Sequence, residues 1–348
     1  MRVGAIVCGF VPDDAPRIPN VHPKEHSSMK TRLVSLFALA ALSSCAPVDD
    51  NGASATGAAN SSDLAPNGRG IGVFTRTAEP RGDHGSPAGE AAVGSLSGNG
   101  INYHNGPVMT GEVHVYYVWY GDWTGNTATA ILTDLANGLG GSARWAVNTT
   151  YRNGAGTFIS NSLRYMGATT DAYSQGTALS DAQIRTVVSD AITSGRLPSD
   201  VNGVYLVLTS QDVTATSGFC TSYCGWHNHA SIGGVDIKYG FIGNAARCIT
   251  SCAAQTTGPN GNPGADGMAS VITHELDEAV TDPDLNAWFD TRGYENADKC
   301  AWTFGTTQTA SNGARYNVTL GGRQFLIQQN WANAPKGRTN GYCTMSYP

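Results

Sequence analysis

The chain has 348 residues, enough for one large domain or two ordinary ones, and 41% of them are apolar, ample for a packed core. A net charge of −6, with no run of Lys or Arg, excludes a nucleic-acid binder, because neutralising phosphates takes a basic face. Only 14% of residues are charged while Gly occurs 43 times, a balance that fits a loop- and sheet-rich exported protein better than a cytosolic one.

Residues 1–28 carry no apolar periodicity and read as a non-native or unstructured extension upstream of a start at Met29. Residues 29–45 open with the basic Met29-Lys30-Thr31-Arg32 and continue as a mostly apolar run of about ten residues. That is the pattern of a secretory signal peptide, and the run is too short to cross a bilayer. It ends in Leu42-Ser43-Ser44-Cys45, which resembles a bacterial lipobox with Cys45 as the lipidated N-terminus; cleavage near Ala46, with Cys45 incidental, is the alternative. Membrane contact is expected only through such an anchor. Residues 46–100, rich in Gly, Ala, Ser, Asn and Asp, read as a flexible linker.

An ordered domain is expected over 101–348. Residues 113–120 (VHVYYVWY) are β-branched and aromatic and predict a central strand. A helix over 127–137 follows, with Gly138 just past its end. Ser180 caps a helix that ends before Gly195. Residues 203–209 (GVYLVLT) predict a second buried strand, and 235–242 (VDIKYGFI) an edge strand. Asp266 is expected to cap a helix over 267–280 that Pro283 stops. Short strand pieces follow at 315–320 and 324–328. The class is α+β, and the order matches zincin-like domains, in which a mixed sheet packs on the metal-binding helix; that match is an analogy of fold.

Setting aside Cys8 and Cys45 leaves Cys220, Cys224, Cys248, Cys252, Cys300 and Cys343. An even number behind an export signal predicts up to three disulfides and a disulfide-braced domain. The C-x3-C spacing of two pairs also admits a structural zinc, which an oxidising compartment disfavours. Nothing in the spacing selects among the pairings.

The most informative motif is His274-Glu275-Leu276-Asp277-Glu278. Residues at i and i+4 share a helical face, so His274 and Glu278 can converge on one ion with Glu275 beside it. The pattern is H-E-x-x-H with Glu in place of the second His. A zinc hydrolase needs about three protein ligands, an open position and a base for the bound water. His274 and Glu278 supply two ligands, Glu295 is the first choice for the third, and Glu275 is the base. Asp298 is expected to accept from the other ring nitrogen of His274 and fix its tautomer. Asp284 competes as third ligand, and Asp282 is weaker. Zn is the expected ion; the extra carboxylate shifts selectivity toward Ca or Mn. Asp282-Pro283-Asp284-Leu285-Asn286 starts like a calcium loop, but Ala287 and Gly293 break the pattern. His227 and His229 alternate on an extended segment and share one face. They read as loop-lining residues, with metal or substrate binding as the alternative.

The segments 113–123 (VHVYYVWYGDW), 171–176 (DAYSQG), 203–213 (GVYLVLTSQDV), 219–227 (FCTSYCGWH), 238–244 (KYGFIGN), 274–288 and 295–302 together resemble the exordium / phosphate-induced protein family, over roughly residues 101–348. The motif carried over is His274-Glu275-x-x-Glu278, then Asp282-Pro283, Asn286-Ala287-Trp288 and Glu295 to Cys300. The resemblance implies secretion. Plant members are found in the cell wall or apoplast and are linked to cell expansion and growth signalling, and the resemblance supplies no biochemical activity. Many plant members have Asn at the position of Asp282, which makes it a poor ligand. The lipobox-like start departs from the plant pattern and suggests a bacterial member.

The expectation is therefore an exported metal-binding protein. Either it is a zinc-dependent hydrolase acting on extracellular peptide or cell-wall polysaccharide, or it is a non-catalytic extracellular binding or signalling protein with a structural metal or none. Its place is extracellular, secreted or lipid-anchored at a bacterial envelope.

Overall fold

The computed structural model describes residues 100–333 and 340–348. The extension, signal peptide, Cys45 and linker expected over 1–99 lie outside the described residues. The two apolar runs form the middle of a five-stranded sheet. Strands β1 (Val113–Tyr120), β2 (Leu163–Asp171), β3 (Gly203–Thr209), β4 (Gly225–Ile232) and β5 (Val235–Ile242) lie in the order β2-β1-β3-β5-β4. The first three interfaces are parallel and the last is antiparallel. β3 is buried along its whole length and β1 nearly so, as expected of parallel strands covered on both faces.

Three helices cover the sheet: α1 (Ala128–Leu139), α2 (Asp181–Thr193) and α3 (Pro263–Thr281). α1 packs on β2 and on α3, whereas α2 packs on β1, β3 and β5. The crossovers through α1 and α2 run in opposite directions across the sheet. Right-handed connections then put these two helices on opposite faces. α2 starts with a full capping box, Ser180 with Gln183, as its sequence predicts. Among the described residues no helix is long and apolar enough to cross a membrane.

Four local expectations need correcting. Gly138 does not stop α1, which runs on to Leu139. A Cβ at Gly138 would lie 2.1 Å from the backbone N of Gly321, so this glycine serves close packing. Asp266 is not the cap of α3: Asn262 is, accepting from Ala265 N–H with Pro263 at the first position. Asp266 accepts from Asn260 instead. β5 is not an edge strand but lies between β3 and β4, and the edge is β4, read as a loop from sequence. Gly233 and Gly234, both at positive φ, make the two-residue turn that joins them. β2, at the other sheet edge, carries little sequence signal, because its burial alternates and its residues are largely small and polar.

The cysteines pair as Cys220–Cys248, Cys224–Cys252 and Cys300–Cys343. Two bridges tie the segment entering β4 to the consecutive helical turns Ala245–Cys248 and Ile249–Cys252 ahead of α3. The third ties the turn Asp298–Cys300 to the strand Tyr342–Thr344. Closing loops of 28 and 43 residues contributes roughly 3–4 kcal/mol per bridge in the chain-entropy picture.

Candidate metal centre

Helix α3 is buried on every side, from Gly264 to Thr281. It is amphipathic only in the sense that its polar residues face other polar residues. Its C-terminal turn carries His274, Glu275 and Glu278 toward β4. There Gly225 permits close approach, since a Cβ would lie 2.5 Å from Val271 Cγ1 and 3.2 Å from Glu275 Oε1. Two residues on, His227 points at the same turn. A third wall comes from the loop after Asp290, whose carboxylate accepts from the N–H groups of Arg292 and Tyr294. That turn returns the chain to the helix. Glu295 N–H donates to Asp298 (3.1 Å), and Asp298 N–H donates to Glu278 Oε1 (3.1 Å).

Six side chains thus converge, and none is more than 3% exposed: His227, His274, Glu275, Glu278, Glu295 and Asp298. His274 Nε2 lies 2.8 Å from Glu278 Oε1 and 3.4 Å from Asp298 Oδ1. His227 Nδ1 lies 3.5 Å from both Glu275 Oε2 and Glu278 Oε2, and its Nε2 lies 3.7 Å from Glu295 Oε1. Most of these separations are too long for hydrogen bonds. They resemble the spacing of donors around one ion, roughly 3.3 Å for tetrahedral ligands about 2.0–2.1 Å from a metal. His227 Nδ1, His274 Nε2, Glu278 Oε2, Glu295 Oε1 and Asp298 Oδ1 are buried without a hydrogen-bond partner among the described residues. Unsatisfied buried polar atoms are costly, and a cluster of them facing one another fits a cation that completes them.

The electrostatics agree. Burial and the neighbouring Glu278 raise the carboxyls of Glu295 and Asp298 well above the ordinary range. Burial also raises Glu275. Glu278 is held low, because His274 and His227 outweigh its burial. Burial opposes charge on both imidazoles, yet Glu278, Asp298 and Glu275 raise His274, and Glu295, Glu275 and Glu278 raise His227, well above the usual histidine value. On its own the cluster must take up protons to stay buried. A divalent cation would let the carboxylates remain ionised. Imidazole and carboxylate together suit zinc or manganese.

The expected residues are distributed as follows. His274 and Glu278 meet at i, i+4 on α3. Glu295 reaches the same chamber but faces His227, while Asp298 faces His274. Asp298 approaches Nε2, the nitrogen that also faces Glu278, rather than the opposite ring nitrogen. Asp284 lies elsewhere, 2.8 Å from Lys238 Nζ and 3.7 Å from His229. With Asp236 these form a second acidic group, in which the Lys238 ammonium pairs with both carboxylates and offsets one of their two charges. Asp282 Oδ1 is occupied by the N–H groups of Asn286 and Ala287 (2.6 Å each), and burial pushes this carboxyl up to about 6. His227 is the residue that sequence reasoning undervalued. The period-2 alternation of Trp226-His227-Asn228-His229 was its signal, and an unrecognised strand hid it.

The profile of the phosphate-induced protein 1 conserved region matches residues 101–339. The chain is 32% identical over 284 residues to EXORDIUM-like 3 of Arabidopsis thaliana, covering 70% of this chain and 82% of that protein. It is 32% identical over 273 residues to EXORDIUM-like 5 of the same plant, covering 66% and 75%. It is 28% identical over 219 residues to PHOSPHATE-INDUCED 1 of Nicotiana tabacum, covering 54% and 67%. No solved structure matches.

Proposed function

This chain belongs to the phosphate-induced protein 1 family, and from that premise we propose that it is an exported, non-catalytic metal-binding protein. A divalent ion, zinc or manganese, joins α3 to the 295–298 loop beside the edge of the sheet. His274, Glu278 and Asp298 are its first ligands. The carrying observation is the set of buried, mutually facing donor atoms that lack hydrogen-bond partners. A closed site is the mark of a structural ion, whereas a catalytic one keeps an open position. The three disulfides support an extracellular setting. We assign the arrangement, a mixed sheet whose antiparallel outer strand lies over a His-Glu helix, to the zincin-like class by analogy of fold.

A hydrolase acting on extracellular peptide or cell-wall polysaccharide is the second reading. Glu275 favours it, since its carboxylate stands among the donors where a base for a bound water would sit. Metal analysis of natively purified protein tests the first reading: bound metal is expected in the wild type and a loss of it in His274→Ala. A wild type free of metal after saturation and desalting would end it. Cleavage of a peptide or wall-polymer library by the intact protein, abolished in Glu275→Gln, would move the assignment to the second reading.

A further inference from the structure

Glu278 presents its two carboxylate oxygens to two different sets of donors. On one side Oε1 faces His274 Nε2 at 2.8 Å, and Asp298 Oδ1 lies 3.4 Å from that nitrogen. On the other side Oε2 faces His227 Nδ1 at 3.5 Å, the nitrogen that also meets Glu275 Oε2 at 3.5 Å. Each set offers three donor atoms within 4.8 Å of one another, and Glu278 belongs to both. We infer that the chamber holds a pair of divalent first-row metal ions bridged by the Glu278 carboxylate. His274 and Asp298 complete one ion's set, and His227 and Glu275 complete the other's. The inference rests on the metal-centre reading and deepens it.

Geometry is the first reason. A single ion can take both oxygens of one carboxylate, but here His274 with Asp298 and His227 with Glu275 form two separate donor sets, and a carboxylate with one oxygen toward each is placed to bridge them. A carboxylate bridge suits ions about 3.5–4 Å apart, the separation typical of two-metal sites. Charge is the second. Glu275, Glu278, Glu295 and Asp298 are four buried carboxylates facing two imidazoles. With neutral rings and all four carboxylates ionised, one divalent ion leaves two negative charges that protons must neutralise, and two divalent ions leave none. Uncompensated buried charge is strongly disfavoured. The third reason is that unpartnered buried atoms lie on both sides of Glu278: His274 Nε2 and Asp298 Oδ1 on one, His227 Nδ1 on the other.

The surroundings of His227 fit a ligand. Its Nε2 has the Asp282 carbonyl at 3.4 Å and Glu295 Oε1 at 3.7 Å. Acceptors there favour a proton on Nε2 and leave the Nδ1 lone pair for an ion. Glu295 then acts as a positioning residue for His227, and the acidic loop serves both ions.

The test is metal stoichiometry with a spectroscopic check. Metal-free protein is saturated with Mn(II), desalted and analysed for manganese per chain. The expected result is two equivalents, with an exchange-coupled electron paramagnetic resonance spectrum in place of the six-line signal of an isolated ion. His227→Ala is expected to keep one equivalent and to show that six-line signal. One equivalent in the wild type with an uncoupled spectrum overturns the pair and leaves the single-ion reading standing, whereas no retained metal overturns both. If His227→Ala does not fold, the wild-type spectrum decides alone.

Discussion

Two neighbouring residues of one helix, Asp277 and Glu278, are both fully buried and have opposite solutions for their charge. Asp277 faces away from the chamber and meets a built-in cation. Arg144 donates to its two oxygens at 2.6 and 3.3 Å, and Asn148 donates at 2.8 Å. Asn148 in turn accepts from Asn330 and Asn296, and Asn296 also reaches the Asp277 carbonyl, so the whole polar layer is tied together. Glu278 faces the chamber and meets two imidazoles and further carboxylates, and among the described residues no Arg or Lys pairs with it. The protein carries its own counter-ion on one side of α3 and leaves the other side short of positive charge. The difference teaches that burying acid is not avoided here; it is balanced by a fixed cation where the role is bracing, and left without one where donors converge, which is the side the proposed ion would complete.

Removing the ion should produce the largest effect. A site saturated a thousand-fold over its dissociation constant contributes about 4 kcal/mol. For a domain of this size that is roughly 8–16 °C in Tm. Calorimetry with and without a strong chelator should show a fall of that order, reversed by adding back zinc or manganese. A chelator-insensitive Tm would erase the contrast between the two faces.

The Arg144 side should respond next. Arg144→Ala leaves Asp277 buried and unpaired and is expected to cost about 3–5 kcal/mol in urea unfolding. The double variant Arg144→Met with Asp277→Leu should cost distinctly less than the single one, because it removes both charges. If the double variant is as unstable as Arg144→Ala, charge is not what this layer balances.

The smallest effect belongs to Asp200, where a carboxylate and an imidazole meet near the surface. Burial raises the Asp200 carboxyl, but His114 (2.6 Å), the N–H of Asn202 and Tyr116 (2.9 Å) together hold it below the usual aspartate range. A depressed folded pKa stabilises fully above the unfolded value, about 3.9, and that stabilisation is lost as pH falls through the lower folded value. Asp200→Asn should therefore flatten the loss of stability below about pH 4. Parallel acid profiles for variant and wild type would show that this half-buried pair contributes nothing and that only fully buried imidazole–acid contacts matter.

Much of this was legible in the chain. The apolar runs of β1 and β3, the Ser180 cap and the even set of cysteines follow from composition and spacing, and so does the i, i+4 pair of His274 and Glu278. β2 was not, because a half-exposed edge of Arg, Gly, Ala and Thr looks like a loop. β4 was not, because a strand between cysteines with two histidines lacks an apolar signature. With β4 unseen, His227 had no partner to be assigned to. Arg144 gave no signal at all: an arginine 133 positions from its aspartate looks like any solvated charge until the fold brings them together.

The amino-acid order alone determined the central strands β1 and β3, the capped start of α2, the even set of cysteines, and the shared helical face of His274 and Glu278. Those are local properties, set by periodicity, caps and short spacing. Only the tertiary structure decided which acid faces which imidazole, because carboxylates some twenty residues apart and a histidine on another strand meet through packing, register and three cross-links. A donor set is a property of distances, and distances across a fold are not written in spacing along a chain.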